Sequence, residues 1–340
     1  MKLFVTGGAG FIGSNYIRLL LAEDPTVEIV NFDALTYAGN LDNLADVAAD
    51  TRYRFVRGDI ANAADVLGAL DEGTDAVVNF AAESHVDRSI ESASDFVRAN
   101  VVGTQVLLDA ARARRVGRFV HISTDEVMGS LGPNGYFDET TPLAPNSPYA
   151  ASKAAAEHFV RAAIHTHRVD AVITRCSNNY GPFQFPEKLI PLVIANAMEN
   201  LPVPVYGDGM QVRDWIFVDD HCRAVDTVLR EGRSGEIYCI GASSERPNIN
   251  VVRTIIEAVG APMSLVTHVT DRPGHDRRYA IDSRKIQTEL GWAPRETFES
   301  GIARTVAWYR EHRDWVERTR SGAYREYYER NYAWREGSAG

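Results

Sequence analysis

Tyr149 and Lys153 form a Tyr-x-x-x-Lys pair inside a helix-like stretch. Residues four apart share one face of a helix, so the two side chains are neighbours. An ammonium beside a phenol favours the phenolate. A phenolate can take the proton of an alcohol or sugar hydroxyl while hydride leaves the same carbon. The spacing also occurs in ordinary surface pairs, so the chemistry depends on what lies nearby. Ser123-Thr124-Asp125-Glu126 ends an apolar β-type run. Two adjacent carboxyl groups in different protonation states suit removal of a carbon-bound proton by one and protonation of a departing hydroxyl by the other. The same two acids would also serve as a helix N-cap and a first-turn acid.

A third cluster precedes both. Thr6-Gly7-Gly8-Ala9-Gly10-Phe11-Ile12-Gly13 follows the first β-type run and opens a helix-like one. In its GxxGxxG pattern, Gly7 allows a tight turn, Gly10 close approach of a pyrophosphate, and Gly13 close packing of helix on strand. A plain glycine-rich turn shows the same letters, and the flanking strand and helix select dinucleotide binding. Asp33 ends the second β-type run, 20 residues after Gly13. An acid there accepts hydrogen bonds from the adenosine ribose and repels a 2′-phosphate, which favours NAD over NADP. Asp59-Ile60, after the third run, fits either the adenine edge or ordinary loop structure.

These residues need a scaffold. Apolar β-type runs at Leu3–Val5, Val27–Phe32, Arg54–Val56, Ala76–Phe80, Phe119–Ile122 and Ala171–Thr174 alternate with helix-like segments such as Ile12–Ala22, Ala93–Ala113 and Tyr149–Thr166. That alternation predicts an α/β fold with a doubly wound parallel sheet, covered on both faces. After about residue 176 prolines and glycines cluster, and helix-like Glu187–Glu199 and Asp219–Arg230 flank a short strand-like segment. Glu236–Ile240 is expected to return to the main sheet. The expected division is residues 1–178 plus about 219–243 as the NAD-binding domain. About 179–218 plus 244–330 form a smaller α/β substrate domain, and 336–340 a tail.

The 340 residues suit two domains. Lys plus Arg number 36 against 46 Asp plus Glu, a net charge of −10, which disfavours nucleic acid and anionic membranes as partners. Cys176, Cys222 and Cys239 make no metal-ligand or disulfide spacing. No metal is expected, and sparse cysteines suit a reducing cytoplasm. No apolar run approaches the roughly 20 residues that span a bilayer. Met1–Val5 breaks into glycines too soon for a signal-peptide core.

In its motifs the chain resembles the extended short-chain dehydrogenase/reductase family, and within it the dehydratases of nucleotide-bound sugars. The resemblance covers nearly the whole chain. It rests on TGGAGFIGSN (6–15), LTYAGNL (35–41), AAESHVDRSI (81–90), STDEV (123–127), SPYAASKAAAEH (147–158), RCSNNYGPFQFPEKLIP (175–191), YGDGMQVRDWIFVDDH (206–221) and DRPGHDRRYAID (271–282). One departure is Met128-Gly129, where the family has Tyr-Gly.

The resemblance implies a Rossmann-type fold, bound NAD, dTDP-glucose as substrate, and loss of water across C5–C6 of the sugar. It gives Tyr149 the 4-hydroxyl proton with Thr124 alongside, Glu126 the C5 proton and Asp125 the departing hydroxyl. Lys153 holds the nicotinamide ribose. It assigns Gly7, Gly10, Phe11, Ile12, Gly13, Asp33, Thr36, Asp59, Ile60, Ala81, Tyr149, Lys153 and Asn179 to the cofactor. It assigns His85, Thr124, Asn178, Lys188, Leu189, Pro204, Tyr206, Arg213, Asn248, Arg272 and His275 to the nucleotide sugar. Read alone, Arg213-Asp214 also suits a surface ion pair and His85 a satisfied structural histidine. The resemblance also implies a homodimer through Ala93–Ala113 and Tyr149–Thr166, although those faces would also suit packing on the sheet. A nucleotide-sugar 4-epimerase or decarboxylase, or a cofactor-sensing protein without chemistry, stays open beside the dehydratase. So does uridine beside thymidine.

Overall fold

The computed structural model describes residues 1–271 and 274–320. Its strands are β1 (Lys2–Thr6), β2 (Glu28–Asp33), β3 (Tyr53–Arg57), β4 (Ala76–Asn79), β5 (Arg118–Thr124), β6 (Ala171–Cys176), β7 (Asn178–Tyr180), β8 (Val203–Tyr206), β9 (Val212–Phe217), β10 (Ile237–Ile240), β11 (Glu245–Pro247) and β12 (Val266–Val269). Seven of them make one sheet in the order β10-β6-β5-β4-β1-β2-β3, with every pair parallel. This is the expected doubly wound sheet, and β10 returns to it as expected. The strand order reverses between β1 and β4, which places a ligand crevice at their carboxyl ends.

Alternation along the strands explains their unbroken apolar runs. Leu3 and Val5 face one side, with Tyr16, Ile17 and Leu20 of helix Phe11–Glu23 and Val225 of helix Val218–Glu231. Phe4 faces the other, with Phe32, Phe119 and Leu107 of helix Gly103–Ala113 and Val160 of helix Pro148–His167. Each fully buried side chain of this kind contributes about 1.5–3 kcal/mol.

Helix Pro148–His167 starts where its sequence requires. The Ser147 hydroxyl accepts from the Ala150 N–H, and Pro148 occupies the first helical position. Tyr149 therefore sits in the first turn, at the sheet's carboxyl edge. The predicted helix at Ala93–Ala113 is helical throughout, but with a π turn at Val97–Val102 between Ser94–Phe96 and Gly103–Ala113. Its buried Asn100 bonds the Glu83 N–H and carbonyl and the Ser152 hydroxyl. These tertiary bonds to a side chain inside the π turn accompany the wider winding.

A second apolar cluster joins Ile190, Val193 and Ile194 of helix Leu189–Met198 to Val203 and Val205 of β8, Trp215 and Phe217 of β9, and Ile255, Ile302 and Trp315. Small sheets β11-β9-β7 and β12-β8 belong to this layer. Two expected boundaries shift. Asn178 already lies in β7 of a small sheet. Helix Arg284–Leu290 packs on β10, with Ile286 and Trp292 among Val172, Tyr238 and Ile240, so it covers the main sheet and not the second layer. The expected 321–330 end of the second domain and the 336–340 tail lie outside the described residues.

Candidate active site

A single cavity of about 750 Å³ runs from the β1–β4 crevice to the second layer. Its cofactor end is built by the glycines. Gly7 has φ +69°, and a Cβ there would lie 2.6 Å from the Ala81 backbone. A Cβ on Gly13 would lie 2.4 Å from the Gly7 carbonyl oxygen. Helix Phe11–Glu23 begins after Gly10 with no side-chain cap, so its first N–H groups and positive dipole end are left for a ligand. Gly7, Gly10, Phe11, Ile12 and Gly13 all border the cavity.

Asp33 ends β2 beside them. Its oxygens accept from the Ala9 and Leu35 N–H groups at 2.9 and 2.8 Å, which aims the carboxyl at the cavity. Burial raises its pKa. Thr36, Asp59, Ile60, Ala81 and Asn179 border the same end, and Asp59 is paired with Arg98. Uncapped helix, glycine cradle and acid fit a dinucleotide pyrophosphate and ribose.

In the middle of the cavity stand Thr124, Glu126, Tyr149 and Lys153. Lys153 is buried, and its Nζ donates to the Ile122 carbonyl at 2.6 Å. Burial lowers its pKa to about 8. The expected phenolate is not what this environment favours by itself. Burial, then the Glu126 carboxylate, hold the Tyr149 phenol well above its ordinary value. The lysine lies beside it, but its proton is directed to a backbone carbonyl.

Both acids were expected to reach the site. Glu126 does. Asp125 is 1% exposed and does not border the cavity. The turn Asp125–Met128 points Asp125 behind Thr124, whose hydroxyl donates to Asp125 Oδ1 at 3.3 Å and accepts from the Glu126 N–H. Asp125 Oδ2 is buried with no hydrogen-bond partner among the described residues. Burial first, and the neighbouring Glu126 second, push the Asp125 carboxyl up to about 8. The structure thus separates the pair: one carboxyl faces the cavity, and one is held as an acid behind a hydroxyl.

At the far end, His85, Asn178, Lys188, Leu189, Pro204, Tyr206, Arg213, Asn248 and His275 border the cavity. Arg213 and Asp214 do not form a surface ion pair with each other. Arg213 is 4% exposed, lies 4.1 Å over the Tyr279 ring, and donates to the Val212 and Asp276 carbonyls. Asp214 points the other way and accepts from the Ala242 and Ser244 N–H groups. His85 does both things weighed for it: its ring accepts from the Arg88 N–H as an N-cap, and it borders the cavity. Lys188 donates to the Ser84 carbonyl, Tyr206 to Asp87, and His275 contacts Asp271. The amide oxygens of Asn178, Asn179 and Asn248 are buried without partners among the described residues, which leaves them to accept from donors of a ligand. Arg272 lies outside the described residues. Met128 does not border the cavity; its sulfur faces Arg175 behind it.

Tyr37, Glu187 and Trp215 also border the cavity, beyond the residues expected from sequence. Glu187 and Tyr37 sit inside motifs already quoted, next to Lys188 and Thr36. Trp215 was detectable only by strand alternation from Arg213.

The family model for GDP-mannose 4,6 dehydratase matches residues 4–305. A dTDP-glucose 4,6-dehydratase of Xanthomonas campestris is 55% identical over 340 residues, covering 94% of this chain and 96% of that protein. The crystal structure of a Streptomyces venezuelae dTDP-glucose 4,6-dehydratase with NAD bound has 53% identity and a TM-score of 0.92, over 94% of this chain and all of that one. A Thermus thermophilus UDP-glucose 4-epimerase, also with NAD, superposes with a TM-score of 0.85 at 31% identity, over 92% of this chain and 100% of that one. The fold is therefore shared by dehydratases and epimerases, and the site residues must separate them.

Proposed function

This chain belongs to the GDP-mannose 4,6-dehydratase family, and from that membership we propose that it converts dTDP-glucose to dTDP-4-keto-6-deoxyglucose and water. The observation that carries the reading is the divided acid pair: Glu126 on the cavity, and Asp125 buried behind Thr124, where burial favours its protonated form. An epimerase or decarboxylase needs no such pair.

The glycine cradle and Asp33 would hold NAD, which would supply the hydride chemistry, taking hydride from sugar C4 and giving it to C6. Tyr149 takes the 4-hydroxyl proton, with Thr124 hydrogen-bonded alongside, and Lys153 orients the nicotinamide ribose. The resulting 4-ketone acidifies the C5 proton, which Glu126 removes and gives back to C5 once C6 has received its hydride. The Thr124 hydroxyl, which touches Asp125, passes its own proton to the C6 oxygen, which leaves as water, and takes the Asp125 proton in its place. His85 lies against the sugar. Asn178, Lys188, Leu189, Pro204, Tyr206, Arg213, Asn248 and His275 hold the nucleotide and its phosphates, with Arg213 as the cation suited to bidentate contact. Arg272 belongs to the same proposed set. The cofactor set is the one named from the sequence, with Phe11, Ile12, Thr36, Asp59, Ile60, Ala81 and Asn179 around the glycines. The main-sheet unit carries the cofactor and the smaller layer the nucleotide sugar. Incubation with dTDP-glucose and, separately, UDP-glucose, followed by mass analysis, tests the reading. Loss of water from neither sugar would sink it.

The cycle is redox-neutral, so releasing NADH midway would strand a keto intermediate. Purified protein is therefore expected to retain NAD(H) without supplementation. Denaturation and assay of the supernatant checks this, and recovery of NADP would count against Asp33 as the ribose acceptor.

The expected assembly is a homodimer. Val97, Val102 and Phe159 leave apolar side chains 50%, 44% and 41% exposed on the two helical runs expected to pair. Sedimentation at micromolar concentration is expected to give twice the chain mass; a monomer alone would rule the assembly out. No helix among the described residues is long and apolar enough to cross a membrane. With its cysteines free and buried, the chain suits the cytoplasm.

A further inference from the structure

Behind the cavity wall lies a charged group that the proposed chemistry does not use. Arg175 is 2% exposed and Glu157 fully buried. The Arg175 Nε donates to both Glu157 oxygens at 3.2 Å, and Nη2 donates to Oε2 at 2.8 Å. The remaining Nη1 donates to Met128 Sδ at 3.4 Å. The surroundings are apolar: Met128 packs among Val127, Phe137, Ala154, Cys239 and Ile281. A buried ion pair in such a place is often no more stabilising than apolar residues of the same volume. Stability alone does not account for it.

Its geometry does. Each contact ends on a different element that carries a proposed catalytic group. Glu157 lies on helix Pro148–His167, one turn beyond Lys153 and two beyond Tyr149, on the same buried face. Met128 closes the turn that bears Asp125 and Glu126. Arg175 itself pairs in register with Ser123 and precedes Cys176, and both of those residues border the cavity.

We infer that Arg175, gripped by Glu157, is a positioning residue that sets Tyr149 and Lys153 at working distance from the Asp125–Glu126 turn. This rests on the dehydratase reading. Oxidation at C4 draws its base, Tyr149, and its lysine from the helix, with Thr124 only alongside, whereas elimination needs the two acids of the turn in register with the helix. Loosening the link should therefore slow the later step more.

The test compares the parent with Arg175→Met/Glu157→Leu, which removes both charges, and with Arg175→Lys, which keeps the ion pair but loses the second N–H for Met128. Thermal midpoint, KM, kcat and NADH trapped during turnover are measured with dTDP-glucose. For both variants the expected result is a KM within about threefold of the parent and a kcat lower by roughly ten- to a hundredfold, with bound NADH accumulating. A double variant that melts like the parent and turns over within twofold of it would overturn the inference, because the pair would then only pack. If the double variant melts early, Arg175→Lys decides: parental kcat in that variant overturns it equally. A parent that releases no water from dTDP-glucose would instead overturn the reading on which the inference rests.

Discussion

Tyr149→Phe is expected to abolish oxidation at sugar C4, whereas Glu126→Gln completes that oxidation and stalls with NADH bound. The first change removes the group proposed to accept the 4-hydroxyl proton as hydride leaves. General-base loss of this kind costs about 10²–10⁴ in rate. Phenylalanine keeps the ring contact with Phe96, whose centroid lies 6.4 Å from that of Tyr149, so the fold should be unaffected. The second change leaves Tyr149 and Lys153 in place and removes the acceptor for the C5 proton. It also removes a carboxylate that holds the Tyr149 phenol protonated. The first oxidation should thus proceed at parental rate or faster. Stopped-flow absorbance of bound NADH separates the two: no signal for Tyr149→Phe, a full and persistent one for Glu126→Gln. Normal exchange of the C5 proton with solvent in Glu126→Gln would sink its assignment.

The parts of this site legible from sequence are those set by local geometry. The Gly7–Gly13 turn and Asp33 were readable because strand, turn and helix length place them at one sheet edge whatever the rest of the chain does. Tyr149 and Lys153 were readable because helical spacing puts them on one face. Direction across the sheet was not readable. Arg213 and Asp214 are neighbours in sequence, yet strand alternation sends one to the cavity and the other to the Ala242–Ser244 loop. Asp125 and Glu126 diverge in the same way at a tight turn. Long-range returns were also hidden. Nothing local shows that helix Arg284–Leu290 leaves the second layer to cover β10, because Ile286 and Trp292 would suit either apolar cluster. The Arg175–Glu157 pair is silent for the same reason: 18 residues separate two charges that look like surface residues until the fold buries both.

The buried acid gives a further result with a sign that can be worked out. Asp125 has an ordinary carboxyl value of 3.8 in the unfolded chain and about 8 in the fold, chiefly because burial disfavours its anion. Between those values the folded protein holds a proton that the unfolded chain has released. Folding stability at this position therefore falls as pH rises from about 4 to about 8, and changes no further above that. Asparagine does not titrate, so Asp125→Asn should gain stability over the parent across that window, with the gain levelling off near pH 8. Catalysis should move the opposite way. Asparagine has no acid proton to give, so oxidation and C5 exchange persist while loss of the C6 hydroxyl slows by about 10²–10⁴. In the parent the same elimination should weaken as pH rises through about 8, where Asp125 ionises, while oxidation by Tyr149 is favoured by rising pH. The alkaline limb of turnover is then set by the acid behind Thr124 and should vanish from the residual activity of Asp125→Asn. Thermal melts and single-turnover rates across pH 4 to 9 measure both effects in one series. If Asp125→Asn keeps the parental alkaline limb, or gains no stability over the parent as pH rises, then Asp125 is not the proton store that the divided pair requires.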